Sequence, residues 1–187
     1  MSILGNRVLR LEDPKFLTTG GVYGDDLRLD GALWVTFVRS TIAHARISAI
    51  DVSDALSVPG VVAVYTGNDC ELKLPPGFGG EPMRRPLLAK DTVNFVGEAV
   101  AAILTEERFQ GEDAAEAVLV DYDPLPTLID PDAALAATPD SGILLYSDAG
   151  TNVAATFGEP FDDHFFDGCE VVVSQRIINQ RVAPCPL

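Results

Sequence analysis

TVNFVGEAVAAILTEERFQGEDAAEAVLVDYDPLP, residues 92–126, is the stretch whose pattern decides the fold. It contains the longest apolar run of the chain, residues 99–104, where both alternating faces are apolar. A strand of that kind is one buried on both sides. Thr105-Glu106-Glu107 follows as a helix start: a hydroxyl able to cap, then acids in the first turn, where the helix dipole favours them. The spacing predicts a helix over 106–117, with Gly111, Ala114, Ala115 and Val118 at i, i+3, i+4 and i+7 forming one small apolar face. So small a face lets the helix lie close to a sheet. Val118, Val120 and Tyr122 then alternate with Leu119 and Asp121 as a second strand. Asp123-Pro124-Leu125-Pro126 ends it, because proline cannot donate to a ladder. The stretch is a strand–helix–strand unit, and the fold class it implies is α+β, a mixed α/β domain.

Outward from this unit, Leu33, Val35 and Phe37 alternate with Trp34, Thr36 and Val38 on a strand. Residues 47–52 can form the return strand, and residues 51–56 a short helix capped by Ser53 or Asp51. Pro59-Gly60 stops that helix; residues 61–65 form another buried strand and residues 66–69 a turn. Residues 75–86, PPGFGGEPMRRP, form a loop. Residues 130–135 are a short helix with proline in its first turn. Residues 136–168 are rich in turn formers and acids and are expected to cross a surface as a linker, with Phe157-Gly158-Glu159 and Phe165-Phe166 as isolated anchors. Val171, Val173 and Ile177 on one parity, with Val172 and Ile178 on the other, give a last strand that belongs inside a sheet whose other members lie elsewhere.

Composition narrows the function classes. The chain has 187 residues, 47% of them hydrophobic, which suffices for a core and argues against disorder. A formal charge of −15 argues against nucleic acid, whose phosphates need Lys and Arg, and against anionic membrane surfaces. No N-terminal segment has signal-peptide form and no run reaches the ~20 residues that span a bilayer, so a cytoplasmic location is the expectation. Cys70, Cys169 and Cys185 are far apart and form no C-x-x-C, so neither a zinc ribbon nor a redox pair is signalled. His44 and His164 are equally isolated, and no serine in a sharp strand–helix turn accompanies His44. Gly20-Gly21-Val22-Tyr23-Gly24-Asp25-Asp26 is a tight turn, not a phosphate loop: no Lys-Ser/Thr follows, and two aspartates repel phosphate. The acid pairs Asp25-Asp26 and Glu106-Glu107 are expected to be solvated.

Specific residues carry a resemblance. Phe95-Val96-Gly97-Glu98-Ala99-Val100-Ala101, followed after the helix by Val120-Asp121-Tyr122-Asp123-Pro124-Leu125-Pro126, resembles the molybdenum hydroxylase family, which includes xanthine dehydrogenase, aldehyde oxidase and aerobic carbon monoxide dehydrogenase. The similar part is the N-terminal α/β-hammerhead domain of the large, molybdopterin-binding subunit. RLEDPKFLTTGGVYGDD at 10–26, Arg39-Ser40-Thr41-Ile42-Ala43-His44-Ala45-Arg46-Ile47, PGVVAVYTGND at 59–69, and the segments at 86–91 and 130–135 are similar to family motifs as well. So is the "R-x-x-P-x-P" run at 181–186, which in the family leads into the molybdopterin-binding region.

The resemblance implies an arm at 1–16, a hammerhead domain at 17–130, a linker at 131–168 and the start of a molybdopterin-binding region at 169–187. It implies part of an oxidoreductase that hydroxylates its substrate with water-derived oxygen. It also implies a structural His44. The family's catalytic, pterin-binding and metal-binding residues have no counterpart at any position here; in particular, Gly77-Phe78-Gly79-Gly80 does not match the glycine-phenylalanine-glycine loop that faces molybdenum. No catalytic, cofactor-binding or metal-binding residue is therefore expected in this chain. Molybdenum and molybdopterin would belong to the complete large subunit, and iron–sulfur clusters and FAD to partner subunits or domains of a hetero-oligomer. The alternative is a free-standing hammerhead-fold binding or interaction module without catalysis.

Overall fold

In a computed structural model of the chain, the described residues are 5, 10–21, 23–24, 29–158, 162 and 164–178. Val22, Asp25-Asp26, Glu159, Cys185 and the run at 181–187 lie outside them. Contacts divide the chain into two compact units, residues 32–160 and residues 1–31 with 161–187.

The larger unit holds six strands: β1 (Trp34–Arg39), β2 (Ala45–Asp51), β3 (Val61–Thr66), β4 (Thr92–Val93), β5 (Ala99–Thr105) and β6 (Leu119–Pro124). They form two three-stranded sheets, with orders β1-β5-β3 and β4-β2-β6. All four strand pairs are antiparallel. The helix α1 (Asp13–Thr18) belongs to the smaller unit, while α2 (Arg108–Glu116) and α3 (Pro131–Ala136) belong to the larger one.

The expected strand at 99–104 is β5, the centre of the first sheet. Ala101, Ile103 and Thr105, on one parity, are fully buried. On the other parity Val100 is buried but Ala102 and Leu104 are only half-buried, so the chain covers one face of this strand well and the other incompletely. Helix and second strand also form, but β6 does not join β5. It pairs with β2 in the second sheet, Val120 standing opposite Ile50 and Tyr122 opposite Ile47. The reason is steric: β1 and β3 already occupy both edges of β5, whereas β2 still has an edge free. The strand–helix–strand unit thus bridges two sheets.

The cap of α2 differs from expectation. Thr105 ends β5, and its hydroxyl donates to the Glu107 carbonyl at 2.9 Å. The N-cap is Glu107, whose backbone N–H is accepted by the Gln110 side chain at 2.9 Å, the return half of a capping box. Gly60, at φ +83°, passes against that same side chain, and any Cβ there would strike it.

The small face of α2 is where expected. Gly111 and Ala114 are buried, and a Cβ on Gly111 would collide with the Thr36 hydroxyl and lie 2.8 Å from its Cβ. Ala114 packs with Ala55, Ile103 and Val118, surrounded by Val61, Val64, Ile50 and Val120. A second cluster of Ala45, Ala89, Val93 and Val100 sits among Ile42, Ile47 and Tyr122. Val38, Ile50 and Val120 border both clusters, so the core runs continuously between the sheets.

The short helix expected at 51–56 is a 3₁₀ turn at Ala55–Ser57, preceded by Asp51 Oδ1 accepting from Ser53 N at 2.9 Å. After β3, the Asp69 carboxylate accepts from both the Thr66 N–H and hydroxyl at 2.8 Å; these bonds hold its pKa below the ordinary value. The loop at 75–86 is closed at its base by an antiparallel bridge between Lys73 and Pro86. Asp130 caps α3, its Oδ1 accepting from Asp132 N at 2.8 Å. Farther on, the Asn152 side chain ties Ile143 and Leu145 to the same region.

Two expectations fail. The aromatic anchors are exposed: Phe157 and Phe78 meet edge to face, as do the neighbours Phe165 and Phe166. Residues 171–178 form no strand and expose their apolar side chains. Among the described residues no helix is long and apolar enough to cross a membrane.

Two outcomes follow from this packing. Gly111→Leu should carry a net cost of about 1–3 kcal/mol by overpacking the contact with Thr36, despite the gain of up to ~1 kcal/mol from removing a helical glycine. Urea denaturation beside the parent checks it, and an unchanged midpoint would contradict the close approach. In hydrogen exchange, amides at 99–104 should be protected and those at 171–178 should exchange within the fastest class.

Candidate functional site

A group of polar contacts gathers where β1 ends and β5 begins. Ser40 N donates to the Glu98 carbonyl at 2.8 Å, and Gly97 N donates back to the Ser40 carbonyl at 2.7 Å. Arg39 Nη1 adds a bond to the Gly97 carbonyl at 2.9 Å. The Ser40 hydroxyl donates to the Ile42 carbonyl at 2.7 Å and fixes the bend that follows β1. His44 sits just beyond. Its Nδ1 lies 2.7 Å from the Pro126 carbonyl, which can only accept, so Nδ1 carries the proton. Leu125 N donates to the His44 carbonyl at 2.9 Å, and the two bonds pin the segment after β6 to this bend. His44 acts here through backbone carbonyls.

Glu98 is the buried acid of this region, only 6% exposed. Its Oε2 accepts from Asn94 N at 2.6 Å. Burial pushes its pKa above the ordinary carboxylate value, and the Asn94 bond and the Arg85 charge offset only part of that. Tyr146 is raised too, by burial first and then by the Glu98 charge, with Arg85 opposing. The Arg85 guanidinium lies 5.1 Å from the centre of the Phe95 ring. Asn94 Oδ1 is buried with no hydrogen-bond partner among the described residues.

Tyr146 carries this cluster to the rim of an open cavity of about 550 Å³, which Lys90, Asp91, Thr92 and Asp148 also line. The cavity does not fit the pyrophosphate of a pterin cofactor. Two carboxylates stand there against one lysine, whereas a pyrophosphate wants converging cations and backbone N–H groups. Nor does the cluster assemble a nucleophile with a base: Glu98 is occupied with backbone, and among the described residues no three His, Cys, Asp or Glu side chains converge as a metal site.

The other residues weighed from the sequence lie apart. His164 pairs with Asp167 at 2.9 Å on an exposed turn. Cys70 is half-buried and Cys169 exposed, both free thiols. Glu106 and Glu107 are exposed at the start of α2. Sequence reasoning did not single out Glu98 or Tyr146. An acid abutting the apolar run at 99–104 was the available signal for Glu98; Tyr146, 48 positions away in a turn-rich segment, offered none.

Because the folded-state pKa of Glu98 is raised, its contribution is fully present below the unfolded value, near 4.5, and is lost as pH rises through the folded value. Glu98→Gln keeps an oxygen for Asn94 N and removes the titration. The denaturation midpoint of the parent should fall relative to that of the variant between pH 4 and pH 7, and parallel profiles would show that the Glu98 pKa is not raised on folding.

Comparison with known proteins places this geometry. The family described as "Aldehyde oxidase and xanthine dehydrogenase, a/b hammerhead domain" matches residues 18–126. The large subunit of nicotine 6-hydroxylase from Paenarthrobacter nicotinovorans is 37% identical over all of this chain and 23% of its own length. The carbon monoxide dehydrogenase large chain of Hydrogenophaga pseudoflava is 37% identical over 97% of this chain and 24% of its own. Among solved structures, reconstituted CO dehydrogenase from Oligotropha carboxidovorans superposes with a TM-score of 0.66 at 41% identity, over 75% of this chain and 17% of that one. The chain spans about a quarter of the length of the curated relatives it matches. With two small antiparallel sheets bridged by a helix and the matched motifs at their junction, this chain belongs to the aldehyde oxidase and xanthine dehydrogenase family, of which it carries the α/β hammerhead domain.

Proposed function

We propose that this chain is the N-terminal segment of a molybdenum hydroxylase large subunit, of the carbon monoxide dehydrogenase or xanthine dehydrogenase type. Its role is to brace an oxidoreductase that hydroxylates substrate with water-derived oxygen, without performing the chemistry. The observation that carries this reading is the match across 97–100% of the chain to large subunits about four times as long. That match favours a segment of a longer assembly over a free-standing module.

In this reading, residues 1–16 are an arm, 17–130 the hammerhead, 131–168 a linker and 169–187 the beginning of the molybdopterin-binding region. The family match at 18–126 supports the second of these. The exposed apolar side chains at 171–178 support the last, since such a segment gains stability only inside a larger sheet. Molybdopterin and its molybdenum are held by the remainder of the large subunit, where the metal supplies the oxygen-transfer chemistry. Iron–sulfur clusters and FAD sit in partner subunits or domains of a cytoplasmic hetero-oligomer. The residues of this chain hold backbone bends in place around Ser40, His44 and Glu98.

The purified chain, supplied with molybdopterin and an artificial electron acceptor, should not turn over carbon monoxide, a purine or an aldehyde. It should also retain no molybdenum after gel filtration. Turnover, or stoichiometric retained metal, would overturn the bracing role.

A further inference from the structure

The three strands of the first sheet are apolar on both parities, yet the chain covers only one of its faces fully. The register sets two rows on the other face: Val35, Leu104 and Ala63, then Phe37, Ala102 and Tyr65. Val35 is 52% exposed, Phe37 37% and Tyr65 44%. The opposite rows, including Thr36, Ile103 and Val64, meet α2 and the core. A sheet apolar on both sides is made to be covered on both.

We propose that this open face of the β1-β5-β3 sheet is the docking surface for the part of the large subunit that follows in its longer relatives. The inference rests on the reading of the chain as a segment of such a subunit, and it adds the surface through which the two parts meet. Size and charge select this occupant. A patch three strands wide and about five residues long covers on the order of 200–300 Å². Stable free partners need about 800 Å² each. A patch this small suffices as one part of a wider contact, which a subunit about four times as long as this chain can supply. A second copy would have to dock on the small patch alone, bringing another −15 of charge with it. The six residues of the face include no acid, and Arg39 lies 5.5 Å from the Phe37 ring at its end. The expected occupant therefore presents apolar side chains with a carboxylate at the rim facing Arg39.

The test is a split subunit. The portion of the Hydrogenophaga pseudoflava carbon monoxide dehydrogenase large chain outside its match to this chain is co-expressed as a separate polypeptide. That relative's own matching portion is the positive control. This chain should be captured by the probe, and Val35→Lys with Tyr65→Lys should weaken capture about tenfold or more while leaving the melting temperature of the isolated chain unchanged. Should the double variant melt early, nitration of the parent's Tyr65, read by mass spectrometry, replaces it: the ring should react in the isolated chain and be protected in the assembly. Capture with full Tyr65 reactivity, or with undiminished affinity in the variant, would overturn the docking face and leave the subunit reading standing. Failure of this chain to be captured when the control is captured would sink the subunit reading itself. Concentration-dependent dimers of the isolated chain, abolished by the lysine variant, would overturn the proposal in favour of a second copy.

Discussion

The occupation of both edges of β5 is the constraint on which the larger unit depends. Once β1 and β3 pair with it, the strand after α2 cannot pair with β5. It pairs with β2 instead, and the helix becomes a strut between two sheets instead of a crossover within one. The crossing works because α2 can sit almost on the backbone of β1. Gly111 over Thr36 permits that approach, and Ala114 extends the same smooth face toward Ile103. The core is then built of valine, isoleucine and alanine, with the bulk coming from the sheets and the smallness from the helix.

Polar groups at the strand ends hold the bends that this arrangement requires. Each is satisfied locally: Ser40 with the Glu98 carbonyl, Thr66 with Asp69, His44 with Pro126. Unpaired, each would cost on the order of 1–3 kcal/mol in a buried setting. Glu98 shows the cost even when paired, since one backbone hydrogen bond and a nearby guanidinium do not fully replace the water it has lost. The family motifs at 39–47, 59–69, 95–101 and 120–126 coincide with these bends, which explains why they mix glycine, serine, histidine and acid without forming a reactive cluster.

The candidate site was less legible than the fold. Periodicity identifies strands and helix faces because they repeat within a few residues of one another. Glu98, Arg85 and Tyr146 come together from three separated segments, and no local pattern joins position 98 to position 146. The capping of α2 was misplaced for a related reason. Thr105 has the chemistry of a cap, but the ladder with Trp34 keeps it in β5, and the next suitable side chain takes over.

The sequence by itself determined the strands at β1, β3, β5 and β6, the small face of α2, the proline-led α3 and the family to which the chain belongs. Short-range spacing and spelled-out motifs encode all of these. Only the tertiary structure decided that the strands divide between two sheets, that β5 is covered fully on one face and partly on the other, and that residues 171–178 stay out of any ladder. The first two outcomes depend on which edges and faces are already taken when a segment arrives. A strand's pattern states that it seeks cover; the neighbours available to it decide whether cover is found.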